Sequence, residues 1–187
     1  MKQLLIPLSA VHYFKTRRFL WVKFLIAIIP AITVWLCFRF IGIKVDAITG
    51  KPVAEFSTVF SDFVNVQISA VAILISFSIA IITILVSAEN SNIKKLRETA
   101  SSDCKPLGNK PLSLFQVLLS NITYNVLIEV VYLGFLILCI FAQIYFGEEV
   151  FKWLMAISVF FIVHILHILL ESVGQMYCTF LKNADNN

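Results

Sequence analysis

Charge is what this sequence has least of. Of its 187 residues only 14% are Asp, Glu, Lys or Arg, where a soluble domain carries roughly 25%. That deficit excludes an ordinary aqueous fold, because 59% hydrophobic residues exceed what one core of this size could hide from water. Glycine and proline are also sparse, at 6 and 5 residues, against 17 Phe, 5 Tyr and 3 Trp; this excludes collagen-like and disordered classes. The 15 basic and 11 acidic residues leave a net charge of only +4, too little for a protein that binds nucleic acid directly.

Chemical signatures are missing too. Cys37, Cys104, Cys139 and Cys178 lie far apart, with neither a CxxC knuckle nor a disulfide framework, so reduced structural thiols are the default and no metal is expected there. No Gly-rich phosphate loop, nucleophile elbow or HExxH occurs. Neither an enzyme nor a bound cofactor is expected, and the absence of an inverted repeat with interrupted helices argues against a transporter.

What is present is hydrocarbon-length apolar sequence. Crossing roughly 30 Å of hydrocarbon takes about 20 helical residues, and four segments qualify: about 19–41, 63–88, 126–147 and 151–171. The second holds 26 consecutive residues without charge, Phe63 to Ala88. The first has Lys23 and Arg39 near its ends, where long side chains snorkel to headgroups, and Pro30 as an expected kink. The expectation is an all-α integral membrane protein, a single unit over 1–187, with four transmembrane helices in two hairpins and the second and third helices extended into the cytoplasm.

Orientation follows from the basic residues, which favour cytoplasmic loops. Lys2, Lys15, Arg17, Arg18 and Lys23 precede the first span; Lys94, Lys95, Arg97, Lys105 and Lys110 follow the second; Lys182 lies in the tail. Only Arg39, Lys44, Lys51 and Lys152 fall on the other side. Both termini and the central loop are therefore expected on the cytoplasmic side, with Trp35 and Trp153 near the outer interface and Trp21 near the inner one. The first twenty residues read as a membrane-surface segment, with Leu4, Leu8 and Val11 on one face, in preference to a cleavable signal peptide. The acceptor pattern Asn121-Ile122-Thr123 falls on the cytoplasmic side and reads as chance.

Between spans two and three, 89–125 is a stem and loop. Nothing breaks the second helix before Ser101-Ser102-Asp103, so a helix from Phe63 to about Ala100, some 57 Å long at 1.5 Å per residue, is expected. Ser113 and Gln116 form a capping box for the next helix. Phe115, Leu118, Leu119, Ile122 and Val126 share one side of it. That apolar side packs on the bilayer or its own neighbour, or else the stem docks a cytosolic protein partner over 92–120 through Lys94, Lys95, Arg97, Lys105 and Lys110.

Two polar stripes run inside the spans. Steps of three and four from Asn65 meet Ser69, Ala72, Ser76, Ala80, Thr83, Ser87 and Asn90, all small or polar. Such a face is a close-packing seam between copies or, in a symmetric oligomer with Asp62 and Glu89 at its mouths, a pore lining. The seam is favoured. In the fourth span His164, His167 and Glu171 share a face, and Glu129 of the third span is expected at the depth of His167. An ionisable residue in a span is a functional suspect. Glu129, His164, His167 and Glu171 are thus a candidate intramembrane cluster, proton- or voltage-responsive or, as favoured, simply bonded between helices. A metal site there is disfavoured for want of further ligands.

This layout of four spans, cytoplasmic termini and a basic central stem, Asn92-Ile93-Lys94-Lys95-Leu96-Arg97-Glu98, resembles the membrane subunit of the bacterial Kiwa anti-phage defence system. The resemblance implies a homo-oligomer, with a tetramer favoured, that senses infection at the inner membrane and works with a cytosolic partner. An ion-conducting or depolarising effector and an accessory subunit of a larger membrane complex stay open beside it.

Overall fold

A computed structural model describes residues 13–14, 20–40, 55–87, 91–101 and 111–184, apart from the side chains of 20, 91, 92 and 178–184. Among the described residues five bounded helices follow one another: α1 Leu20–Phe40, α2 Phe56–Ser87, α3 Ser91–Glu98, α4 Leu114–Tyr145 and α5 Glu148–Ala184. Among the described residues there is no strand, only an isolated antiparallel bridge between Ala100 and Ser113. Four helices among the described residues are long and apolar enough to cross a membrane: Trp21–Phe40, Phe56–Ser87, Leu114–Tyr145 and Glu148–Tyr177. The chain is an all-α, multi-pass membrane protein.

The spans stand in a row rather than as two self-contained hairpins. α1 packs along α5, α5 along α4, and α4 along α2, with a lighter contact of α2 on α5. Each neighbour in the row runs antiparallel to the next. α1 and α2 meet at one end, where the rings of Phe38 and Phe56 lie edge to face at 5.4 Å. The main core, among α2, α4 and α5, gathers Phe60, Val64, Val71, Tyr132, Leu136, Phe151, Met155 and Ile165. Around it Ile29, Ile73, Leu138 and Leu170 are well exposed; in hydrocarbon these are the coat against lipid.

α1 has 21 residues, about 31 Å at 1.5 Å per residue, whereas α2 and α4 have 32 and α5 has 37, so these three outrun the roughly 30 Å they must cross. The surplus of α4 and α5 lies at one end, the stem end. Here the continuous helix expected to reach Ala100 is not found: α2 ends at Ser87 and a separate short helix starts at Ser91. The reason is packing. Ile93 and Leu96 of α3 are buried with Leu85 of α2 and with Leu118 and Ile122 of α4, which a straight helix pointing away from the membrane could not achieve. The surplus of α2 lies instead at its start, seven residues ahead of Phe63.

α4 begins where the sequence places it. Ser113 caps it, its Oγ accepting from the Gln116 amide at 3.2 Å while Gln116 Oε1 accepts from the Ser113 amide at 3.0 Å. Beside it, the Ser101 amide donates to Leu112 and the Leu114 amide to Thr99, closing the base of the loop that joins α3 to α4.

Candidate functional site

α2 presents two faces of opposite fate. Its buried residues Phe56, Phe60, Val64, Val71, Ser78 and Leu85 recur in steps of four and seven, a repeat near 3.5 that keeps one seam turned to a partner helix. Diametrically opposite, Asn65, Ser69, Ala72, Ser76, Ala80, Thr83 and Ser87 are all exposed; Asn90, with Glu89, lies outside the described residues. The hydroxyls on this face are occupied within the helix. Ser69 donates to the Asn65 carbonyl, Ser76 to Ala72, Thr83 to Ile79 and Ser87 to Thr83, at 2.6–3.1 Å. What the stripe offers a neighbour is therefore shape: short side chains along which another backbone can come close.

The four-residue intramembrane cluster does not form as one group. Glu129 is fully buried on α4, and its partners come from its own helix and from α2. Oε1 accepts from Ser78 Oγ at 3.0 Å and from Asn125 Nδ2 at 2.8 Å. It does not pair with His167, the half-buried neighbour expected at its depth. Equal distance from a hairpin apex fixes depth but not azimuth, and the azimuth of Glu129 points to α2.

His164 belongs to a second group. Its Nε2 lies 3.2 Å from Tyr124 Oη, and its ring lies parallel to those of Phe24, at 5.0 Å, and Phe160, at 5.9 Å, which are themselves 6.3 Å apart. Tyr124 is itself stacked on Tyr13 at 4.0 Å, so the described part of the N-terminal segment is docked on the bundle; the face of Leu4, Leu8 and Val11 and the cluster Lys15, Arg17 and Arg18 lie outside the described residues.

Glu171 forms the third group, ion-paired with Lys23 of α1. It also accepts from Gln175 at 3.3 Å, and Asn121 of α4 donates to Gln175 at 3.4 Å. A polar chain thus ties α1, α5 and α4 together near the stem end. Since Asn121 is fully buried in that chain, the Asn121-Ile122-Thr123 pattern presents no acceptor at the surface.

At the far end Glu149 accepts from Lys152 at 2.6 Å and lies 3.8 Å from Arg39, and Trp35 meets Trp153 at 4.8 Å. Lys23 and Arg39 are about 24 Å apart along α1, and Glu149 and Glu171 about 33 Å apart along α5. These ionic levels bracket the roughly 30 Å of a hydrocarbon layer, and between them α1 meets α5 through ring pairs, Phe24 with Phe160 and His164 and Trp35 with Trp153.

In the stem, Lys94 and Arg97 are exposed and Lys95 half-buried; the Arg97 guanidinium lies over the Phe115 ring at 4.8 Å. Lys105 and Lys110 lie outside the described residues. The apolar side of the stem is already covered within the chain by Ile93 and Leu96, and among its described residues the exposed charges are Lys94, Arg97 and Glu98. Cys37 and Cys139 are free thiols, one exposed and one buried. Among the described residues no group of three or more His, Cys, Asp or Glu could hold a metal ion.

Sequence reasoning missed Ser78, Asn125, Lys23 and Tyr124. Lys23 carried a usable signal, since it and Glu171 are opposite charges at the same end of two spans. Comparison of the chain with protein families, curated proteins and solved structures found no match.

Proposed function

We propose that this chain is a self-associating membrane subunit whose copies meet along the Asn65–Ser87 face of α2, and whose stem receives a cytosolic protein partner. The observation that carries this reading is the exposure of all seven described stripe residues on a helix whose opposite face is built into the core. α2 has the periodicity of a helix with two seams, and one chain fills only one of them. Because the stripe hydroxyls are satisfied by their own helix, the face needs no water. That favours a dry helix–helix seam over the lining of a conducting pore.

The basic count puts the stem and both termini in the cytoplasm, where Lys94 and Arg97 suit an acidic face on the partner. The defence role rests on the resemblance in layout: a homo-oligomer in a bacterial inner membrane, responding to phage infection and coupled to a cytosolic protein.

Cysteine crosslinking in native membranes tests the seam. With the native cysteines replaced by serine, Ser69→Cys and Ser76→Cys are expected to form disulfide-linked dimers. Val66→Cys, exposed but about 80° round the helix from Ser76 at 3.6 residues per turn, is expected to form none. Equal crosslinking at all three positions, or none at any, refutes the seam.

A further inference from the structure

Among the described residues Glu129 is the one fully buried acidic side chain, and its carboxyl is half satisfied. Oε1 holds both of its bonds, from Ser78 Oγ and Asn125 Nδ2. Oε2 is buried with no donor, and so is the amide oxygen of Asn125, Oδ1. These two orphans flank the Nδ2–Oε1 bond, since each shares a carbon with one of its atoms. An ionised carboxylate and an amide oxygen can only accept, so in the anionic form two acceptors, one at each end of the same hydrogen-bonded pair, stay buried without a donor.

Nor does a cation among the described residues compensate a negative charge here. Lys23 is paired with Glu171 and Lys152 with Glu149. His164 faces Tyr124. Of the elements packed on α4, α2 brings no titratable side chain between Asp62 and Ser87, and α5 brings His164, His167 and Glu171 between Lys152 and Tyr177. α3 brings Lys94, Lys95, Arg97 and Glu98 at the stem end. α4 itself adds Tyr124, Tyr132 and Cys139. None of these bonds Glu129.

One hydrogen resolves both orphans. On Oε2 it converts an acceptor into a donor, and the residue already bonded to this carboxyl carries an acceptor that lacks a donor, Asn125 Oδ1. We propose that Glu129 is a proton-binding site: a neutral carboxylic acid paired with the Asn125 amide, O–H to Oδ1 and N–H to Oε1, which also receives Ser78 and so fastens α2 to α4. Loss of the proton leaves an unpaired anion at the one polar contact between Glu129 and α2, so the attachment of α2 weakens as pH rises. The site stands whether or not copies meet along the opposite face of α2.

Infrared spectroscopy of the protein in lipid bilayers tests it. At neutral pH the wild type minus Glu129→Gln difference is expected to contain the carbonyl stretch of a protonated carboxylic acid. In Asn125→Leu that band is expected at higher frequency, because its acceptor is gone. A difference confined to carboxylate bands overturns the proposal, as does an acid band that Asn125→Leu does not shift.

Thermal unfolding in detergent gives a second readout that needs no variant beyond Glu129→Gln, whose amide can repeat both bonds. The wild type is expected to lose melting temperature at alkaline pH relative to Glu129→Gln, and to melt alike in sodium and choline chloride. A wild-type melting temperature raised by sodium but not by choline, with Glu129→Gln indifferent, would place a metal cation at the site instead and overturn the proton.

Discussion

Ser76 and Ser78 stand two residues apart on α2 and meet different surroundings. Ser78 is fully buried and donates to Glu129 of α4 at 3.0 Å, while Ser76 is exposed and donates to the Ala72 carbonyl of its own helix at 3.0 Å. Two residues of α-helix turn the side chain through about 200°, so one serine closes a contact within the chain and the other leaves a face open.

Truncating the inner serine should cost stability modestly. Ser78→Ala removes one of the two bonds to Glu129 Oε1, and hydrogen bonds between membrane helices average about 0.6 kcal/mol with a maximum near 1.7. Ser78→Leu forces a larger side chain into a sealed contact and should cost about 1–3 kcal/mol. Unfolding of purified protein in mixed detergent measures both, and a stabilised Ser78→Leu would contradict the packing.

The Lys23–Glu171 pair should behave as a coupled unit. Lys23→Gln or Glu171→Gln alone leaves a partly buried charge without its partner, at an expected cost of about 1–3 kcal/mol, below the range for a fully buried pair because both ends reach toward the headgroups. The double variant should recover part of that loss. A double-mutant cycle with no coupling would mean that α1 is held on α5 by its apolar contacts alone.

Charge reversal in the stem separates docking from folding. Lys94 and Arg97 are exposed, while the residues that hold α3 down are Ile93 and Leu96. On the proposed function, Lys94→Glu with Arg97→Glu should therefore abolish co-purification of a cytosolic partner. The melting temperature should fall little, the loss of the Arg97–Phe115 contact costing about 0.5–1 kcal/mol. Retained association would remove the basic surface from the proposed function.

The four spans were legible because charge is costly in hydrocarbon and so marks its own boundaries, as Asp62 and Lys152 do. The capping box at Ser113 was legible because it is local, needing only residues three apart. The exposed stripe was legible because a repeat near 3.5 survives in sequence. Which helices touch was not. Nothing in the spelling of α4 says that Glu129 faces Ser78 rather than His167, since lipid and a neighbouring helix favour the same apolar residues. The end of α2 at Ser87 was hidden for a related reason: Ile93 and Leu96 continue a plausible helical pattern, and only their burial against Leu118 and Ile122 sets them apart.

The seam on α2 is tested most directly by the mass of the particle in lipid nanodiscs, measured for the wild type and for Ser76→Leu by native mass spectrometry. Ser76 is exposed and its hydroxyl bonds its own helix, so the variant should fold as the wild type does. The expected result is an oligomer for the wild type and monomers for Ser76→Leu; a monomeric wild type, or an oligomer indifferent to the leucine, would contradict the seam.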